Sequence, residues 1–277
     1  MNFSKFISRL ANEPSRTGLP LAEHFVLSEA KPPLAVLMAE AVHEARVALE
    51  VHSAFCRSGF TSPLAPYPIC IGRHAPEVVE NYMRAVKLTL TDRTFQKVRE
   101  IVDSGGLGYY VYYFPTPCAR AIDFITSYAY LPPEQYFEKV CTNLDIARLV
   151  QAWASLLSKL LVLDFVPSSR ESQRSGNCFD ENNAVLTGGI VDLGSIAHVA
   201  HRSDEWIREC LAMSFDVLSS MVVRLSGGLG ADPTDTAHLK NQIQRSLIEI
   251  VREEIRGIGH VNPLVTEYLN RAGFTGD

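Results

Sequence analysis

The order of strand-like and helical stretches along the chain predicts an α+β fold, with a small mixed N-terminal lobe and a helical C-terminal lobe. Three observations carry this expectation. Tyr109 to Phe114 (YYVYYF) is aromatic and β-branched throughout, the composition of a pleated, half-buried strand. Ala184-Val185-Leu186 and Ile190-Val191 are two short β-prone runs, joined by a Thr187-Gly188-Gly189 connection suited to a tight turn at positive φ. Beyond Ile146, by contrast, apolar residues recur mainly at helical spacing, as in Leu149, Trp153, Leu156, Leu157, Leu160 and Leu161. The division is expected at residues 1–116 and 117–277, with the two lobes meeting near 110–118.

Taken in order, Phe3 to Leu10 places Phe3, Phe6, Ile7 and Leu10 on one helical face, and Leu21 to Leu27 reads as a strand or a turn of helix. Leu34 to Arg57 is rich in Ala, Leu, Glu and Val and lacks Gly and Pro, so one long helix over 34–57 is expected, stopped by Ser58-Gly59. Pro63 to Ile71 reads as an extended edge segment, because its prolines cannot donate within a central strand. Helices are expected over Glu77–Val86 and Thr91–Val102, then from Ala119 to Tyr128 and from Pro133 through Cys141. Asn143 or Asp145 caps the striped helix Ile146–Leu163. The polar stretch Pro167 to Asn182 is of the length that usually carries function. Helices follow over Asp204–Leu225 and Thr236–Ile255, with a last one after Pro263.

Composition narrows the function classes. The 277 residues suffice for one large or two-lobed domain, and 47% hydrophobic with 21% charged residues is the balance of an ordinary globular chain. A net charge of -5 gives no general attraction to nucleic acid or to acidic membranes. Apolar runs such as Leu160 to Phe165 are interrupted by Asp or Pro, so no membrane segment is expected, and MNFSKFISRL lacks the apolar core of a leader peptide. The 6 cysteines never form CxxC; they read as small buried hydrophobes in a reduced, cytoplasmic protein without a zinc site.

The chemistry concentrates at 183–192. A hairpin over this span returns the chain, so that Asn183 and Asp192 meet at its open end. An amide oxygen beside a carboxylate on a rigid hairpin is a donor pair suited to Mg²⁺. Other motifs read as structural. SGGLG occurs at Ser104–Gly108 and Ser226–Gly230, but after helices, where glycines act as stops rather than phosphate cradles. His198 and His201 stand at helical spacing without a third ligand, and Ser172 and Ser175 lack a nucleophile elbow. Cys178 with His198 forms a thiol–imidazole combination whose approach nothing in the sequence specifies.

The assembled order is long helix, Pro-rich strand, aromatic strand ending in proline, helices, polar loop, Asn, hairpin, Asp-Leu-Gly, helices. It resembles the two-lobed protein-kinase-like fold. Asp192-Leu193-Gly194 resembles the Asp-Phe-Gly metal motif and Asn183 its asparagine partner. GNCFDENNAVLTGGIVDLGS is similar to the corresponding part of the selenoprotein O branch of atypical kinases, which transfer AMP. The resemblance implies ATP and Mg²⁺ as cofactors, with Asn183 and Asp192 on the metal. It implies Asp180 or Glu181 as the group orienting the acceptor, and Tyr113, Phe114 and Cys118 of the segment Tyr113–Cys118 against adenine. Lys31 stands nearest to where a phosphate-pairing lysine belongs, with Glu40, Glu44 or Glu50 as its helix partner. Asn177 is the alternative metal asparagine, fifteen positions before Asp192. The chain departs from the pattern in lacking His-Arg-Asp and a glycine-rich flap, and Cys178 stands where the catalytic aspartate is counted back from Asn183. Hence two functions are expected as alternatives: a nucleotide-dependent phosphoryl or adenylyl transferase, or a pseudokinase scaffold acting with a protein partner. A third reading, an all-helical protein, requires that 183–192 form no hairpin.

Overall fold

A computed structural model describes residues 25–27, 34–39, 41–73, 76–87, 92–103, 108–113, 119–168, 177–200, 202–227, 233–259 and 261–272. The fold is α+β and mostly helical. It divides into two compact units, one of residues 1–49 and 66–117, the other of residues 50–65 and 118–277.

The first unit holds a four-stranded antiparallel sheet in the order β1-β2-β4-β3, made of β1 (Phe25–Leu27), β2 (Leu34–Ala39), β3 (Tyr67–Arg73) and β4 (Gly108–Tyr113). The aromatic run forms the inner strand β4, paired through Tyr113 with Leu34 on one side and Tyr67 on the other. β3 is an edge strand, and its register shifts between Pro68 and Cys70, where the proline lacks an N–H for the ladder. α2 (Pro76–Lys87) and α3 (Asp92–Asp103) follow β3.

One expectation fails here. Leu34 to Arg57 is not a single helix: Leu34–Ala39 is β2, and helix α1 begins at Ala41 and runs to Arg57. LAVLMA has fair helix propensity, but β2 lies between two strands, where pairing on both edges overrides a weak local preference. The division between units falls inside α1, after Leu49. Phe3–Leu10 lies outside the described residues, as does most of the first SGGLG.

The second unit is built on α6 (Ile146–Val162), α7 (Asp204–Gly227), α8 (Pro233–Ile258) and α9 (Pro263–Ala272), with α4 (Ala121–Tyr128) and α5 (Pro133–Asn143) alongside. Asp145 caps α6 by accepting the Arg148 N–H at 3.0 Å. Trp153, Leu157, Leu160 and Leu161 of α6 are buried with Leu211, Phe215 and Leu218 of α7 and Leu247, Ile248 and Val251 of α8. α7 alone among the described helices is long and apolar enough to cross a membrane by length and composition. It packs against α4, α5, α6, α8 and α9, and its buried Ser214 hydroxyl donates back to the Cys210 carbonyl at 2.7 Å. These contacts make it the core helix of this unit.

Two small ribbons complete the unit. α6 ends in a turn at Asp164, one of the short polar residues that tolerate left-handed backbone (φ 62), and the chain enters β5 (Phe165–Pro167). β5 pairs antiparallel with β8 (Ile196–His198). Between them in sequence lies the hairpin β6 (Ala184–Val185) and β7 (Gly189–Ile190), so the all-helical reading is excluded. The hairpin is shorter than the sequence suggests, since Leu186, Thr187 and Gly188 form its turn. Gly188 takes the positive φ, at 88°. Gly189 serves a different purpose: a Cβ there would stand 2.3 Å from the Leu64 carbonyl oxygen. Gly189→Ala is therefore expected to cost about 2–4 kcal/mol by forcing backbone apart, read as a lowered urea midpoint at unchanged slope.

Candidate functional site

From Asn177 onward, backbone hydrogen bonds dictate a compact turn. Asn177 closes the first step: its side-chain oxygen accepts the Phe179 N–H at 3.1 Å and its carbonyl accepts the Asp180 N–H at 2.9 Å. Asp180 closes the second, one carboxylate oxygen accepting the N–H groups of Asn182 at 2.9 Å and Asn183 at 3.1 Å. The Ala184 N–H bonds the Asp180 carbonyl at 2.8 Å and so feeds β6. At the other end of the hairpin the Val191 N–H donates to the Asn183 carbonyl at 3.0 Å. Asn183 thus sits opposite Val191, with Asp192 the next residue along. The Asp192 carboxylate accepts the Gly194 N–H at 2.7 Å and turns the chain toward β8.

These turns gather acidic groups in a partly buried place. Burial, with the charges of Glu181 and Asp192 nearby, pushes the Asp180 carboxyl up to about 6, against the pull of its two backbone donors. Cys178 is fully buried. Desolvation, then the charges of Asp192 and Asp180, hold its thiol well above its ordinary value, so it is neutral and unsuited to nucleophilic chemistry. His198, the other half of that combination, is exposed in β8; its Nδ1 accepts the Ala200 N–H at 3.0 Å, and its ring meets Phe165 edge-on. It therefore shares no helix face with His201, which lies outside the described residues.

Among the described residues no three His, Cys, Asp or Glu side chains form a cation site. Asn183 and Asp192 offer instead an amide oxygen and a carboxylate, hard donors of the kind Mg²⁺ takes when phosphate oxygens and water complete its shell. The Asn183 amide nitrogen is anchored on the Asn177 carbonyl at 3.4 Å, which leaves its oxygen as the atom for a cation. Asn177 itself is buried, its amide nitrogen has no partner, and its oxygen is spent on the turn. The geometry therefore favours Asn183 over Asn177 for metal.

Of the residues singled out in the sequence, Asp180, Glu181, Asn183 and Asp192 come together in the second unit. Glu44 lies half-buried in the first turn of α1, and Tyr113 ends β4; both belong to the first unit. Lys31, Phe114 and Cys118 lie outside the described residues. β2, the strand that leads into α1, carries no lysine.

Several supporting residues were not apparent in the sequence. Trp153 of α6 donates its indole N–H to the Gly189 carbonyl at 3.2 Å, and the Leu64 carbonyl accepts the Ile190 N–H at 2.9 Å. Ala119 accepts the Leu186 N–H at 3.0 Å, and Arg120 forms an isolated bridge with Val185. Trp153 looks in sequence like any member of an apolar stripe. Only its indole nitrogen hints at a polar duty, since a buried one normally finds an acceptor.

No family model matches the chain, and no curated protein is significantly similar to it. Among solved structures it is similar to WaaP in complex with acyl carrier protein, with a TM-score of 0.34 and 11% identity, over 83% of this chain and 85% of that one. At that level the chain's own residues carry the chemistry.

The raised Asp180 pKa has a measurable consequence. Because the folded protein holds this proton more tightly than the unfolded chain, stability falls as pH rises from about 4 to about 6 and stays lowered above that. Asp180→Asn keeps an acceptor for the turn and removes the ionisation. It is expected to melt higher than wild type at pH 7.5, by on the order of 3 °C, with the difference vanishing near pH 4.

Proposed function

We propose that the chain is a kinase-like protein that binds ATP with Mg²⁺ and transfers a phosphoryl or adenylyl group to an acceptor. The observation that carries this reading is the convergence of Asn183 and Asp192 on one short hairpin, beside a carboxylate, Asp180, whose pKa is about 6. Asn183 and Asp192 would hold the metal, which when bound neutralises phosphate oxygens and favours attack on them. Asp180 accepts the proton of the acceptor hydroxyl, a task suited to a group ionised just below neutral pH. Glu181, the alternative base, is engaged by Arg224 in an ion pair, and its backbone carbonyl receives the Ile122 N–H at 2.7 Å. It is better placed to support the turn than to meet a substrate.

A pseudokinase scaffold is the second reading. It is favoured by the lysine-free β2 and by the neutral thiol of Cys178, five positions before Asn183. Such a module would bind a protein partner, and either version fits a cytoplasmic protein with free cysteines.

Nucleotide and metal binding separate the two readings. In a thermal-shift titration, ATP at a hundredfold excess over its Kd stabilises a binder by about 2.7 kcal/mol. The transferase reading expects a shift that needs both ATP and Mg²⁺ and is lost in Asp192→Asn, which retains the acceptor for Gly194. A shift unchanged by that substitution would remove Asp192 from the metal site, and no shift at all would favour the scaffold.

A further inference from the structure

We infer that Arg224, near the C-terminal end of α7, is a positioning residue that sets the turn carrying Asp180 and Asn183. Its guanidinium pairs with the Glu181 carboxylate, forty-three positions earlier in the chain. Glu181 lies between the proposed base and the proposed metal ligand, so whatever fixes this residue fixes both neighbours. The same turn is also held by backbone and side-chain donors at the start of α4. The Ile122 N–H at the start of α4 bonds the Glu181 carbonyl at 2.7 Å, and the Arg120 guanidinium donates to the Asn182 carbonyl at 3.4 Å. Arg120 is itself aimed by Asp123, through contacts of 3.0 and 3.1 Å to its side-chain nitrogens.

Arg224 has a firm base from which to act. Its neighbours Val223 and Leu225 are buried, and the Leu225 carbonyl receives the buried Tyr136 hydroxyl at 2.9 Å. The end of α7 is therefore tied to α5, and an ion pair from it transmits the position of the core helix to the turn. A partly exposed pair such as this adds little to global stability. Its larger effect is local: without it the 180–183 segment has one side chain fewer holding it, while the helices beneath remain packed.

The inference rests on the proposed function for its chemical meaning, so its test has one readout that needs no ligand. In Arg224→Ala the backbone amides of Asn182 and Asn183, measured by hydrogen exchange NMR, are expected to exchange about fivefold faster, with α7 core amides unchanged. Arg224→Lys should recover part of the protection. The double exchange Arg224→Glu with Glu181→Arg should recover it as well, a rescue that a packing role would not give. Calorimetry is the second readout: Arg224→Ala should weaken Mg²⁺–ATP about fivefold and leave metal-free ATP unaffected. Unchanged exchange at Asn182 and Asn183 overturns the positioning role. If those amides loosen while wild type shows no Mg²⁺-dependent binding, the positioning role stands and the transferase reading falls.

Discussion

The site depends on a hairpin too short to hold itself. β6 and β7 pair over Ala184 with Ile190 and Val185 with Gly189, and an isolated ribbon of that size is unstable in water. Its backbone groups are completed from outside, by the Trp153 indole on the Gly189 carbonyl, the Leu64 carbonyl on the Ile190 N–H, and the Ala119 carbonyl on the Leu186 N–H. The hairpin residues they meet are buried at Gly189 and Ile190 and half-buried at Leu186, and an unmade bond in a buried place costs about 1–3 kcal/mol. Three segments distant in sequence are thus committed to one turn of chain. The position of Asn183 and Asp192 follows from that commitment together with their own bonds, Asn183 to the Asn177 carbonyl and Asp192 to the Gly194 N–H.

Electrostatics then works against a background of crowded acid. Burial and the nearby charges of Glu181 and Asp192 push Asp180 toward neutrality, while Glu181 is met by Arg224. The buried Cys178 thiol, between the same charges, resists ionisation and adds none of its own.

Much of the local architecture was legible before the structure. Tyr109 to Tyr113 lie in an inner strand because aromatic and β-branched side chains suit a sheet paired on both edges, and the prolines of 63–71 marked an edge strand correctly. The hairpin was legible because Gly-Gly between β-prone runs has few other solutions. What failed was LAVLMA, where the signal was only propensity and the answer lay in pairing with β4, some seventy residues further on. The cysteines divide likewise: Cys178 and Cys210 are buried as expected, but Cys56 and Cys141 are exposed, since helix periodicity and not residue type decides which face they take. The supporting contacts of the site were illegible for the same reason. Arg224, Trp153 and Leu64 matter through where the fold carries them, and no local pattern records that.

The way Gly189 is held separates scaffold from chemistry. The frame consists of main-chain carbonyls, a glycine without a side chain, and one indole; the Asn183 amide oxygen takes no part in it. A lineage could therefore exchange the side chains at the hairpin's ends and keep its shape. Inheritance of the hairpin's shape and inheritance of any chemistry at its ends are then independent traits, and the glycine records only the first.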